Sequence, residues 1–264
     1  MPAPLPALRR LLQPLAALAL PLALASVAVA GDIRVMTSGA FAAPHLALVA
    51  PFEQATKNRV VTVTTSTGVG RDSIASRVGR GEAVDVIILP AAALEDLIRG
   101  GFVVAESRVD LARSAIGMAV RAGVPRPDIS TVEALTRTLL QAKSIAYSAS
   151  VSGEYLSKEL FPRLGLSETL APKSRRIAGE RVGAVVARGE AEIGFQQISE
   201  LLEVKGVDLV GPLPSAVQRI TLVAAGVAAK STDPAAARAF IRFLASPEAV
   251  ETIRKTGLEP LAPR

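Results

Sequence analysis

The chain has no cysteine and no tryptophan, a single histidine, and aromatic residues at only 3% of its 264 positions. Each absence removes a class of chemistry. Without thiols there is no disulfide framework, thiolate nucleophile, thiolate metal site or iron–sulfur cluster, so folding relies on the apolar core alone. One histidine cannot build a zinc site that needs several, and His45, which follows Pro44 at a helix start, is read as a surface or capping residue. No stretch interleaves basic residues with stacking aromatics, so the net charge of +6 does not point to nucleic acid. A small anionic ligand suits this mild excess better. Gly68 and Gly70 lack the third glycine of a dinucleotide fingerprint and no Walker loop is present, so neither a cofactor nor a metal is expected.

What is present begins with a leader. Arg9 and Arg10 precede an uncharged apolar run from Leu11, and Ala28-Val29-Ala30 is an A-x-A cleavage pattern, which assigns 1–30 to a secretory signal peptide and the mature chain to the periplasm. Pro14 and Pro21 interrupt the run and no basic stop-transfer cluster follows, which argues against a membrane anchor.

From Asp32 the apolar period alternates between strand and helix. Strands are expected at 33–37, 60–65 and 84–89, separated by helices at 42–56 and 73–80 and followed by one at 91–99. This βαβαβα order implies a mostly parallel sheet covered by helices on both faces. A longer strand at 114–121 leads into the turn-rich Gly123-Val-Pro-Arg-Pro127, after which the pattern restarts. Helices are expected at 131–142, 153–164 and 182–188, with strands at 144–147, 192–196 and 207–210. A last strand at 219–228 precedes helices at 234–244 and 247–255. Two α/β units joined by two long strands predict two lobes, 31–113 with 219–264 and 114–218, enclosing a ligand cleft.

Ligands of open α/β sheets sit beyond the carboxyl ends of the strands, and here those ends are rich in small polar residues. They are Thr37-Ser-Gly-Ala40, Thr65-Ser-Thr-Gly-Val-Gly-Arg-Asp-Ser73, Ser144-Ile-Ala-Tyr-Ser-Ala-Ser-Val-Ser-Gly-Glu-Tyr155 and Gly194-Phe-Gln-Gln-Ile-Ser199. A fifth, Gly179-Glu-Arg-Val-Gly183, precedes a helix. Ser148, Ser150 and Ser152 open a helix, where orphan N–H groups and the dipole favour an anion. Arg71, Arg77 and Arg181 are the nearby cations. Arg181 stands at a helix start, where a positive charge is unfavourable unless an anion compensates it. Gln196 and Gln197 are adjacent on one strand and face opposite sides, so only one of them is expected at the cleft.

These segments, with Ala75-Ser-Arg-Val-Gly-Arg-Gly-Glu-Ala-Val-Asp85 and Arg188-Gly-Glu-Ala-Glu-Ile-Gly194, resemble the periplasmic molybdate-binding proteins, the type II solute receptors of ABC importers. The resemblance implies a monomeric, two-lobed receptor that delivers an anion to an ABC permease. It places ligand contacts at Ser38, Gly39, Thr67, Gly68, Arg71, Ser150, Ser152, Arg181, Val182 and Gln197. Ala40 stands where that family has a serine, Gln197 replaces its cleft tyrosine, and Arg181 adds a full charge, so the expected ligand shifts toward a di- or tricarboxylate, with an oxyanion such as molybdate as the alternative. Ser114-Ala-Ile-Gly-Met-Ala-Val-Arg-Ala-Gly123, Ala142-Lys-Ser-Ile-Ala-Tyr-Ser148 and Gly194-Phe-Gln-Gln-Ile-Ser-Glu-Leu201 look like a subgroup that also resembles bacterial aconitate isomerase. That resemblance implies a cofactor-free allylic proton shift between trans- and cis-aconitate, for which His45, Tyr147, Asp72 and Glu180 are the candidate proton carriers.

Overall fold

The computed structural model describes residues 31–64 and 70–261; the expected signal peptide, 1–30, lies outside the described residues. Two sheets carry the fold. The first has the order β11-β4-β10-β3-β1-β2, from β1 Asp32–Thr37, β2 Arg59–Thr64, β3 Val86–Pro90, β4 Val109–Ser114, β10 Thr221–Val227 and β11 Glu259–Pro260. The second has the order β7-β6-β8-β5-β9, from β5 Ile116–Arg121, β6 Ile145–Ser148, β7 Ser174–Ile177, β8 Ile193–Gln197 and β9 Val207–Pro212. Parallel pairing joins β1 to β2 and β3, and β6 to β7 and β8. The strands next to the crossings, β4, β5, β9 and β10, add antiparallel pairs.

The strand expected at 114–121 is β5 together with the last residue of β4; the rest of β4, at 109–113, is a strand the sequence pattern does not mark. Ser114 pairs with Thr221 in the first sheet and Ile116 pairs with Gln197 in the second, so the chain changes sheet at Ala115. Apolar periodicity runs unbroken through such a crossing because both halves are buried, which hides the change of partner. The chain returns between Pro212 and Thr221, and Gln218 clamps the two passages: its Oε1 accepts from Ile116 N–H at 3.0 Å and its Nε2 donates to Ile116 C=O at 2.9 Å.

Each sheet has its own core. Phe41, Phe52 and Phe240 pack one face of the first sheet, with Phe52 and Phe240 edge to face at 4.8 Å, and Leu94, Leu97 and Val103 fill the other. Phe161, Leu135, Leu139 and Phe195 pack the second sheet, and Val182, Val185 and Val186 cover its opposite face. Aliphatic burial thus supplies what disulfides would elsewhere, at about 25 cal/mol per Å². Within the first lobe, buried Asp85 joins strands to the loop before helix Pro234–Leu244: its carboxylate accepts from Arg34 N–H at 2.9 Å, Ser231 Oγ at 2.7 Å and Thr232 N–H at 2.9 Å. Burial alone would raise its pKa, but these donors outweigh it and the group is held below the usual carboxylate range.

The helix expected at 153–164 starts two residues earlier and is not uniform. It runs Val151–Tyr155, widens to a π turn over Leu156–Leu160 and ends as Phe161–Arg163. Pro162 has no N–H to return to Lys158, so the regular ladder cannot continue through that turn. Among the described residues no helix is long and apolar enough to cross a membrane.

Candidate ligand cleft

The carboxyl ends of β1 and β3 and the start of β10 face the corresponding end of β8 and the turn after β6. Ser38, Ala40, Pro90 and Thr221 line the first side of the cleft, and Ser150, Val151, Gln197 and Glu200 the second. The cavity they enclose is about 20 Å³. That holds roughly one water, so a tricarboxylate enters only when the walls part. The lobes touch here: Ser199 Oγ donates to Ala40 C=O at 2.9 Å, across the cleft.

Ser38 is 1% exposed and its Oγ has no hydrogen-bond partner among the described residues. A buried hydroxyl left so costs free energy unless a ligand accepts its hydrogen bond, which makes it the clearest donor of the first lobe. Opposite it, Ser148 Oγ bonds Ser150 Oγ at 2.7 Å and Ser152 Oγ at 2.9 Å, a buried hydroxyl cluster whose Ser150 member reaches the cleft. Helix Val151–Tyr155 can follow that turn so closely because residue 153 is glycine; a Cβ there would overlap the Ser148 carbonyl oxygen.

The expected site residues divide. Ser38, Ser150 and Gln197 share the cleft, Gly39 borders it through Glu200, and Ser152 reaches it through Ser148. Gln197 has both ends of its amide engaged, accepting from Ser114 Oγ at 2.7 Å and donating to Thr221 Oγ1 at 3.0 Å. It ties the two crossing points together. The Val182 N–H is likewise taken, by Gln196 Oε1 at 2.9 Å. Arg181 does face a compensating anion, but that anion is Glu203 of the same chain, so its charge carries no argument for a carboxylate ligand. Arg77 pairs with Glu82. Arg71 lies on an exposed turn where its carbonyl accepts from Arg80, outside the cleft lining, and Thr67 and Gly68 lie outside the described residues.

None of the four expected proton carriers lines the cleft. His45 is fully buried against Phe240, not at the surface, and its Nε2 meets Thr62 Oγ1 at 2.7 Å; burial lowers its pKa to about 4. Tyr147 packs against Phe161. Asp72 is exposed, and exposed Glu180 accepts from Arg188.

Glu200, which sequence reasoning passed over, does line it. Helix Ile198–Leu202 follows β8 directly and aims this side chain at Gly39, where a Cβ would overlap Oε1. Part of the residue reaches solvent, but the carboxyl is enclosed. Burial pushes its pKa up to about 7, against the opposing pull of the Arg181 charge and a Gln196 hydrogen bond, with the Glu203 charge adding a smaller push. The signal available in the sequence was a lone acid one turn beyond a cleft-facing strand end. Among the described residues no group of three or more His, Asp or Glu side chains could hold a metal ion.

A two-lobed mixed α/β molecule with a polar interlobe cleft is the type II binding-protein architecture, and the chain belongs to the bacterial extracellular solute-binding protein family, whose profile matches residues 33–259. Its relatives narrow the comparison. It is 44% identical over 230 residues to the aconitate isomerase of a Pseudomonas species, covering 87% of this chain and 88% of that enzyme. It is 27% identical over 252 residues to the molybdate-binding protein of Rhodobacter capsulatus, covering 91% and 93%. The periplasmic molybdate-binding protein of Azotobacter vinelandii shares the fold, with a TM-score of 0.70 at 20% identity over 88% of this chain and 100% of that one.

Proposed function

We propose that the protein acts in the periplasm as a cofactor-free aconitate isomerase, interconverting trans- and cis-aconitate in the interlobe cleft. The observation that carries this reading is the pairing of a buried hydroxyl with no partner among the described residues, Ser38, with the Ser148–Ser150–Ser152 cluster across the cleft. Hydroxyl donors converging from both lobes suit the carboxylates of an extended polyanion, because each carboxylate accepts several hydrogen bonds. The near-full-length similarity to an aconitate isomerase supports the choice of polyanion. The reaction moves a proton from the methylene carbon to the former vinyl carbon as the double bond shifts, leaving the formula unchanged, so the cleft need only bind, orient and carry one proton.

A second reading, a receptor that passes a small anion to an ABC permease, is favoured by one feature: the cleft donors are uncharged, as suits an ion that must be released again. A thermal-shift panel separates the two. The isomerase reading expects stabilisation by aconitate and by saturated tricarboxylates, reaching about 4 kcal/mol at 1,000 times Kd, and turnover of aconitate. Stabilisation by molybdate alone, without turnover of aconitate, would retire it.

A further inference from the structure

Among the described residues, Glu200 is the only titratable group lining the interlobe cavity. Its setting is specific. Gly39 leaves the space that the carboxyl occupies, the neighbouring cation Arg181 is already paired with Glu203, and the lobe opposite presents Ser38, Ala40, Pro90 and Thr221 with no charge among them. A receptor could use any neutral donor at this place, whereas a proton transfer needs a titratable group.

We propose that Glu200 is the catalytic proton carrier of the cleft: its carboxylate takes a proton from the methylene of the bound propene tricarboxylate and, as a carboxylic acid, returns one to the former vinyl carbon. The C–H electron pair becomes the new double bond, the old π pair takes up the returned proton, and Glu200 ends in its starting charge. The inference rests on the isomerase reading. Burial supports it, because a carboxyl pushed up to about 7 is both a stronger base than an exposed one and able to hold the proton between the two steps near neutral pH. The charged groups bearing on it are Arg181 and Glu203, both from its own lobe.

The test uses the full-length protein and its Glu200→Gln and Glu200→Asp variants, with trans-aconitate as probe, followed by proton NMR and by thermal shift. The expected result is conversion by wild type, a loss of about 10²–10⁴-fold in kcat for E200Q with aconitate still raising its melting temperature, and partial activity in E200D. If wild type converts and E200Q stays within about tenfold, the role of Glu200 is overturned while the isomerase reading stands. If aconitate stabilises wild type but is never converted, the isomerase reading fails and this role with it. Should E200Q not melt cooperatively, the wild-type pH profile decides: kcat/KM must rise through an ionisation at roughly pH 6–8, and a flat profile there overturns the assignment.

Discussion

Replacing Glu200 by glutamine should make the protein more stable at pH 8 and leave it unchanged at pH 4. The carboxyl sits at about 7 in the fold against an ordinary 4.5. Below pH 4.5 it is protonated in both folded and unfolded chains and contributes no difference. Between 4.5 and 7 the unfolded chain releases the proton while the folded chain keeps it, so stability falls by up to about 1.4 kcal/mol per pH unit. Above 7 both are ionised and the cost levels off at about 3 kcal/mol. Glutamine keeps the shape and a hydrogen-bonding end but has no proton to lose. The difference should therefore grow from zero at pH 4 to about 3 kcal/mol at pH 8, roughly 6–12 °C in Tm for a domain of this size. His45, with its pKa lowered to about 4, has the opposite slope across this range, since the unfolded chain takes up a proton as pH falls through 6.5. That slope is common to both proteins and cancels in the comparison. Urea unfolding of wild type and E200Q from pH 4 to 8 is the assay. A difference that is constant with pH, or that shrinks toward pH 8, would refute the enclosed-carboxyl account.

Ser38→Ala should weaken aconitate binding by about tenfold or more without destabilising the protein, because the hydroxyl it removes has no partner among the described residues; calorimetric titration beside a melting curve checks both halves. Gly39→Ala should leave the fold intact and turn the Glu200 carboxyl out of its place, since the new Cβ would occupy the position of Oε1 and the end of a glutamate side chain can swing away; a melting curve should change little while the isomerisation assay shows a fall in kcat. Asp85→Ala should cost about 3 kcal/mol or more by orphaning the donors of Arg34, Ser231 and Thr232. Because the Asp85 pKa is depressed, its contribution is complete above the ordinary 3.8 and is lost as pH falls below it, so the variant and wild type should converge in acid. Gly153→Ala should be destabilising by about 3 kcal/mol, at the upper end for overpacking, because its Cβ meets backbone that cannot swing away; denaturant midpoints measure it.

Much of the fold is legible in apolar period. Helices Ala42–Thr56, Ala91–Arg99 and Pro234–Leu244 coincide with the ranges read from the sequence; the last two carry a one-sided apolar stripe, whereas the first is apolar around most of its circumference and is marked by its length and its flanking strands. Strands Ser174–Ile177 and Glu259–Pro260 are not visible there: the first is mostly polar and exposed at a sheet edge, and the second is two residues long. The cleft is less legible than the fold. Polar turns at strand ends mark where ligands approach, which brings Ser38 and Ser150 into view, but which donors are free depends on pairings made elsewhere. Gln197, Val182 and Arg181 sit near the cleft with their polar groups already taken. Glu200 is the reverse case, an ordinary acid in sequence whose character comes from Gly39, a residue 161 positions away in the chain.

The central claim, that this cleft converts a tricarboxylate, is tested most directly by proton NMR of purified protein incubated separately with trans-aconitate and with cis-aconitate. A catalyst of the allylic shift brings both samples to the same ratio of isomers without consuming either. Two samples that keep their starting isomers, with the protein folded and stabilised by both ligands, would contradict the claim and leave a receptor.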